Sequence, residues 1–202
     1  MLRRFILMSL IVCVLEAGLG CDKSTTAPVL STPADVIAAV QDARCRGDHE
    51  AKFDLMTPEA TSEFVETVVT TMVGDSGPDV NSPEERKVLD QLTEKYQLPH
   101  LTAHTEAGAN RATNQLMRQI ADKKAFAKDY SRWTFGTTPA TPAADSSTAM
   151  PPAELQNLQI SPDGMSATAQ LVLNGGGVTR MQPVRFRKIN GAWLIDDVLM
   201  VY

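Results

Sequence analysis

Few residues in this sequence have the type and spacing to do chemistry. Cys21 follows Gly20 at the end of a short apolar stretch, and Cys45 stands alone farther on. His100 and His104 lie four apart with Glu106 close by, and Arg185, Arg187, Asp196 and Asp197 gather near the last residues. Two imidazoles at i and i+4 on a helix share one face and, with a third ligand, hold a divalent metal. Here Pro99 precedes the pair, Leu101 and Thr102 make a poor helical core, and His49 is the one remaining histidine. A solvated loop is the better reading, and no metal site is expected. Asp196 and Asp197 could be an acid/base pair, but neighbours on a strand point to opposite faces, so at most one could enter a cavity. Charges at a sheet rim are the simpler expectation. Arg185 and Arg187 share a strand face and could bind an anion, or stay solvated. A nucleophilic Cys45 would need a base and an orienting group that no spacing supplies, so a buried structural thiol is expected. A Gly-rich phosphate loop, a serine elbow and a Cys-x-x-Cys pair are all missing, and no cofactor is expected.

Cys21 belongs to a different kind of signal. Arg3 and Arg4 form a positive n-region, Phe5 to Leu15 an apolar core, and Ala17-Gly18-Leu19-Gly20 a small-residue segment before the cysteine. That order predicts a secretory signal peptide over residues 1–20, too short to span a membrane comfortably. The Gly20-Cys21 junction resembles the lipobox of bacterial lipoproteins, which implies that Cys21 is acylated and becomes the first mature residue. Gly18 and Leu19 depart from the usual lipobox order, and Glu16 is out of place beside an apolar core. Residues 21–32, with Lys, Ser, Thr and Pro and little to bury, read as a flexible tether off a membrane surface. The expected location is therefore the bacterial cell envelope, on the periplasmic or extracellular side, with membrane lipid as partner through Cys21.

The bulk properties set further bounds. The 202 residues are 43% apolar, enough for one domain plus appendages. The formal charge of −5 becomes −6 once Arg3, Arg4 and Glu16 leave with the signal. A mildly acidic chain without basic clusters carries no footprint for nucleic acid. Of the three cysteines one lies in the signal and one at the junction, so no disulfide framework is expected.

Residues 33–202 must position whatever site exists, and they read as a single α+β domain. Thr32-Pro33 with Asp35 opens a helix whose stripe is Val36, Ile37, Val40 and Ala43. Asp48 caps a short second helix with Phe53, Leu55 and Met56 inward, and Thr57-Pro58-Glu59 starts a third. Ser82-Pro83-Glu84-Glu85 opens a fourth, and Ala109 to Tyr130 reads as a fifth. Residues 136–153, rich in Thr, Pro, Ala and Ser, read as a mobile loop. Strands follow. Leu155 to Ile160 precedes the turn Ser161-Pro162-Asp163-Gly164, after which Ala167, Ala169, Leu171 and Leu173 alternate with polar neighbours. Val184 and Phe186 share a face opposite Arg185 and Arg187, and Pro183 argues for an edge or a bulge. Asn190-Gly191 signals a hairpin into a last strand with Trp193, Ile195, Leu199 and Val201 on one face.

The opening Arg46-Gly47-Asp48 turn, the segment Leu55-Met56-Thr57-Pro58-Glu59-Ala60, and the closing run from Phe186 to Val198 with Gly191, Trp193 and Ile195 resemble nuclear transport factor two-like domains. The resemblance covers about half the mature chain and implies a cystatin-like cone. In it, N-terminal helices pack on a curved antiparallel sheet of about four strands, here with a helical insertion in the middle. It also implies that a carboxylate such as Asp196 or Asp197 could line the cone. Three functions are then expected, in order. The first is a non-catalytic envelope domain binding a protein or small apolar ligand. The second is an isomerase- or dehydratase-type enzyme with a cavity carboxylate as base, and the third a purely structural accessory domain.

Overall fold

A computed structural model describes residues 30–73, 83–101, 105–136, 153–175 and 178–198. Cys21, His104, Leu199, Val201, the expected signal, residues 21–29 of the expected tether and residues 137–152 of the expected loop at 136–153 lie outside the described residues; the last tether residues, Leu30 to Thr32, are already part of the fold. The chain is α+β: the described residues form five α-helices followed by a four-stranded antiparallel sheet.

Each helix begins where a side chain can satisfy its unbonded amides. Thr32 caps α1 (Pro33–Cys45) through a reciprocal capping box, the Asp35 amide donating to Thr32 Oγ1 at 3.2 Å and the Thr32 amide to Asp35 Oδ2 at 2.7 Å. Gly47, at φ 69°, takes the left-handed turn that ends this segment. Asp48 Oδ1 accepts from the Ala51 amide at 3.0 Å and starts the short 3-10 helix Ala51–Asp54. Thr57 Oγ1 accepts from the Ala60 amide at 3.1 Å at the head of α2 (Pro58–Val73). Beyond lie α3 (Pro83–Lys95), α4 (Glu106–Gln119) and α5 (Lys123–Phe135). The single helix expected from Ala109 to Tyr130 is thus two. Ile120 swings to extended backbone at ψ 93°, and Asp122 restarts the helix by accepting from the Ala125 amide at 2.9 Å.

The sheet follows chain order, β1 (Glu154–Ile160), β2 (Ser166–Gly175), β3 (Val178–Ile189) and β4 (Ala192–Ile195). The β1–β2 turn is built as its residues require. The Gly164 amide bonds Ser161 O at 2.9 Å, Gly164 has φ 67°, and Asp163 Oδ1 accepts from the Met165 amide at 3.0 Å. Asn190 and Gly191, at φ 52° and 85°, take the two positive values that a type I′ hairpin needs. Pro183 sits in a central strand rather than an edge strand. It pairs with Gln170, while β4 reaches only from Phe186 to Ile189, so among the described residues no strand flanks β3 on its other side at that point. The missing amide costs no ladder bond there.

One face of the sheet is buried by the helices. Ala167, Ala169, Leu171, Val184, Phe186, Trp193 and Ile195 join Val36, Phe53, Val65, Val69, Leu92 and Phe126 in a single cluster. Removing one such large side chain from water contributes about 1.5–3 kcal/mol. The 3-10 helix and β4 pack on α1, whereas α4 and α5 pack on α2, and α3 on α5. The last three helices therefore group around α2 and α5, while α1 is the helix that meets β4. Cys45, expected to be buried, is exposed. The stripe of α1 runs through Val36, Val40 and Ala43, and Cys45, two residues past Ala43, is turned about 200° away from it.

The two sheet edges differ. The free side of β4 is sealed by earlier chain: the Trp193 amide donates to Leu30 O at 2.9 Å, the Ile195 amide to Leu55 O at 2.8 Å, and the Thr57 amide to Ile195 O at 2.8 Å. Met56 and Ile195 make a parallel bridge. By contrast β1 is exposed along nearly its whole length, is bulged between Gln156 and Gln159, and has Asn157 at φ 54°.

Candidate functional site

The C-terminal charges expected at the rim come together, though not as two carboxylates on one strand. β4 ends at Ile195, so Asp196 and Asp197 lie just past it, and the opposite-face rule no longer separates them. Both carboxylates meet arginines on the outer face of β3. Arg187 donates to Asp196 Oδ2 from Nε at 3.1 Å and from Nη2 at 2.8 Å, and Arg185 Nε donates to Asp197 Oδ2 at 3.2 Å. Thr57 Oγ1 donates to Asp196 Oδ1 at 2.8 Å. A further nitrogen of Arg187, Nη1, lies 3.3 Å from Glu59 Oε2.

Asp196 therefore has donors on both oxygens, while the remaining oxygen of Asp197 accepts from the Val198 amide at 2.9 Å. A carboxylate already receiving three donors is poorly placed to take a substrate proton. What the arrangement does is join the start of α2 to the end of β4. Thr57 is fully buried, caps α2 through one lone pair and reaches Asp196 through its proton. The capping role of Thr57 is legible in Thr-Pro-Glu; its bond to a residue 139 positions away is not.

A second cluster had no place in the sequence reading. Lys52, on the 3-10 helix, is half-buried with its ammonium 5.0 Å from the Phe53 ring centre, 5.2 Å from Phe64 and 5.8 Å from Phe135. Phe53 and Phe64 are themselves in contact at 5.0 Å, His49 stacks on Phe135 at 5.0 Å, and Tyr130 meets Phe64 edge-on at 5.8 Å. Among the described residues no carboxylate pairs with Lys52. The nearest acids in sequence are committed elsewhere. Glu50 receives Arg132 Nε and Nη2, each at 2.6 Å, and Asp54 receives Lys124 at 2.8 Å and Lys128 at 2.7 Å. Burial, and after it the Arg44 guanidinium, push the Lys52 amine down to about 8. Burial likewise lowers His49, helped by the positive charges of Lys52 and Arg44.

A third group is structural. Asp129 on α5 is buried and accepts from Lys95 Nζ at 2.5 Å, Tyr96 Oη at 2.7 Å and Arg132 Nη1 at 3.3 Å, which ties α3 to α5. Burial and the bond to Asp129 hold the Tyr96 phenol well above its ordinary range. Arg111, Asn114, Gln115, Arg118 and Gln119 line an open depression of about 630 Å³ along α4. It is walled by a single helix and encloses nothing.

His100 is exposed, and among the described residues no group of three or more His, Cys, Asp or Glu side chains is arranged to hold a metal. No described helix is long and apolar enough to cross a membrane. No family model, curated protein or solved structure matches this chain.

Proposed function

We propose that this chain is an exported envelope protein, acylated at Cys21, whose nuclear transport factor two-like α+β domain binds a protein or a small apolar ligand without catalysis. Export and anchoring rest on the ordered signal of Arg3-Arg4, the apolar core, Gly20 and Cys21, followed by a polar tether. The absence of catalysis by a cavity carboxylate rests on one observation: both oxygens of Asp196 are taken by Thr57 and Arg187. The isomerase- or dehydratase-type alternative needs that carboxylate free, and Asp197 is similarly engaged with Arg185.

The test is made on full-length protein in a bacterial host supplied with an alkyne-bearing fatty acid. Label is expected in the membrane fraction on a protein whose first residue is Cys21, and is lost in Cys21→Ser. Labelled protein lacking that dependence, or retention of residues 1–20, overturns the anchor. Native mass spectrometry of the detergent-extracted protein is then expected to show a stoichiometric extra mass beyond the lipid. A bare lipoprotein would leave the purely structural role instead.

A further inference from the structure

We propose that the Lys52 amine, in its box of Phe53, Phe64 and Phe135, is a covalent capture site for small apolar aldehydes. The geometry is what singles this lysine out. Its nitrogen lies 5.0–5.8 Å from three ring centres contributed by the 3-10 helix, α2 and α5. Lys95 pairs with Asp129, Lys124 and Lys128 share Asp54, and Lys188 meets a single ring, that of Trp193, at 5.8 Å. The residue is only half-buried, and Phe135 leaves one side of the box open to solvent at 37% exposure.

The groups that act on it electrically are known. From α1 comes Arg44, and His49 precedes it on the same loop; Phe64 of α2 and Phe135 of α5 bring rings rather than charges. Of the acids flanking it in sequence, Glu50 is bridged by Arg132 of α5, and Asp54 by Lys124 and Lys128 of α5. With burial and Arg44 both opposing its charge, a substantial fraction of Lys52 is neutral near pH 8, where an ordinary lysine is almost wholly protonated.

The box also selects the electrophile. Ring faces are electron-rich and repel anions, so a carbamate or an acidic acyl group would be placed badly, whereas a neutral imine or a cationic iminium is tolerated. The step balances without an oxidant. The Lys52 nitrogen lone pair forms a bond to the carbonyl carbon, and the carbonyl oxygen takes a proton to give a carbinolamine. The C–O bond then breaks, and amine plus aldehyde becomes imine plus water. The alkyl tail of the aldehyde lies along the phenylalanine rings.

The experiment incubates the mature protein with hexanal and sodium cyanoborohydride, which traps the imine as a secondary amine, and maps each lysine by peptide mass between pH 6.5 and 9.5. At pH 7.5 Lys52 is expected to label roughly tenfold faster than exposed Lys87, with a midpoint near 8. Equal rates at the two lysines overturn the proposal. Phe135→Ala, at the exposed rim of the box, is expected to erase most of that selectivity with the far-ultraviolet dichroism unchanged. Unchanged selectivity in that folded variant overturns the role of the box. Glyoxylate, a charged aldehyde, is expected to react at Lys52 several-fold more slowly than hexanal, and a faster reaction overturns the apolar preference.

Discussion

Lys52 carries a cost that depends on pH. Its amine titrates at about 8 in the folded chain and near 10.5 when free, so between those values the unfolded chain binds more protons. The cost of burying its charge is therefore full below about pH 8 and fades as pH rises toward 10.5. Lys52→Met, similar in length and uncharged, is expected to be more stable than the parent by on the order of 2 kcal/mol at pH 6.5, with the difference closing by pH 10.5. Urea titrations at several pH values check this, and a pH-independent difference would contradict it. Because Lys52 helps to lower His49, the same variant is expected to raise the His49 titration midpoint, read from its ring proton resonances. Asp196 calls for a different measurement. Asp196→Ala leaves buried Thr57 and the Arg187 guanidinium short of an acceptor and is expected to cost about 1–3 kcal/mol. Asp197→Ala, whose partner Arg185 is largely exposed, is expected to stay within about 0.5 kcal/mol in thermal melts. That Arg185 and Arg187 face away from the core was readable from their alternation with Val184 and Phe186. Their pairing was not, because it depends on β4 stopping at Ile195.

Local signals fixed most elements. Thr32-Pro33, Thr57-Pro58 and Asn190-Gly191 each carry their geometry in two residues, a cap or a pair of positive φ angles, and each appears where expected. The break between α4 and α5 was missed because Ile120 and Ala121 continue the apolar helical pattern, and only Asp122 betrays a new start. Asp122→Ala is accordingly expected to destabilise the protein by about 1 kcal/mol in urea, since it removes the acceptor for the Ala125 amide. Gly191 offers a cleaner case. A methyl group there meets nothing within 4 Å, so Gly191→Ala is expected to cost about 1 kcal/mol from the φ of 85° alone. Lys52 and its rings were illegible for a different reason. Phe53 adjoins it, but Phe64 and Phe135 come from two other helices, and only tertiary packing gathers them around one amine.

At the scale of the molecule the sheet is asymmetric. One edge is closed by chain from the N-terminal side, and the other, β1, carries Leu158 and Ile160 in the open, with Met165 exposed in the turn beyond it. Among the described residues nothing covers that edge; its bulge at Gln156–Gln159 blunts the edge in part, but the exposed apolar side chains still invite pairing with another chain. Ile160→Lys is expected to leave the melting temperature within a few degrees while reducing concentration-dependent light scattering; scattering unchanged by the substitution would place self-association elsewhere. The helical half and the sheet share one cluster of side chains, which is why the helices-over-sheet arrangement was legible from the burial pattern alone. The packing of α4 and α5 on α2, and of α3 on α5, was not, since an amphipathic stripe says that a helix is covered but not by what.

The hydrogen bond from Trp193 to Leu30 places the point where the chain enters the domain beside its last strand. If the lipid holds Cys21, any tug from the membrane arrives at Leu30 and is shared among that bond, the Thr32 cap and the α1–β4 contact. Mechanical load would thus peel the seam between α1 and β4 first, at a force set by a few bonds, while most of the sheet stayed intact.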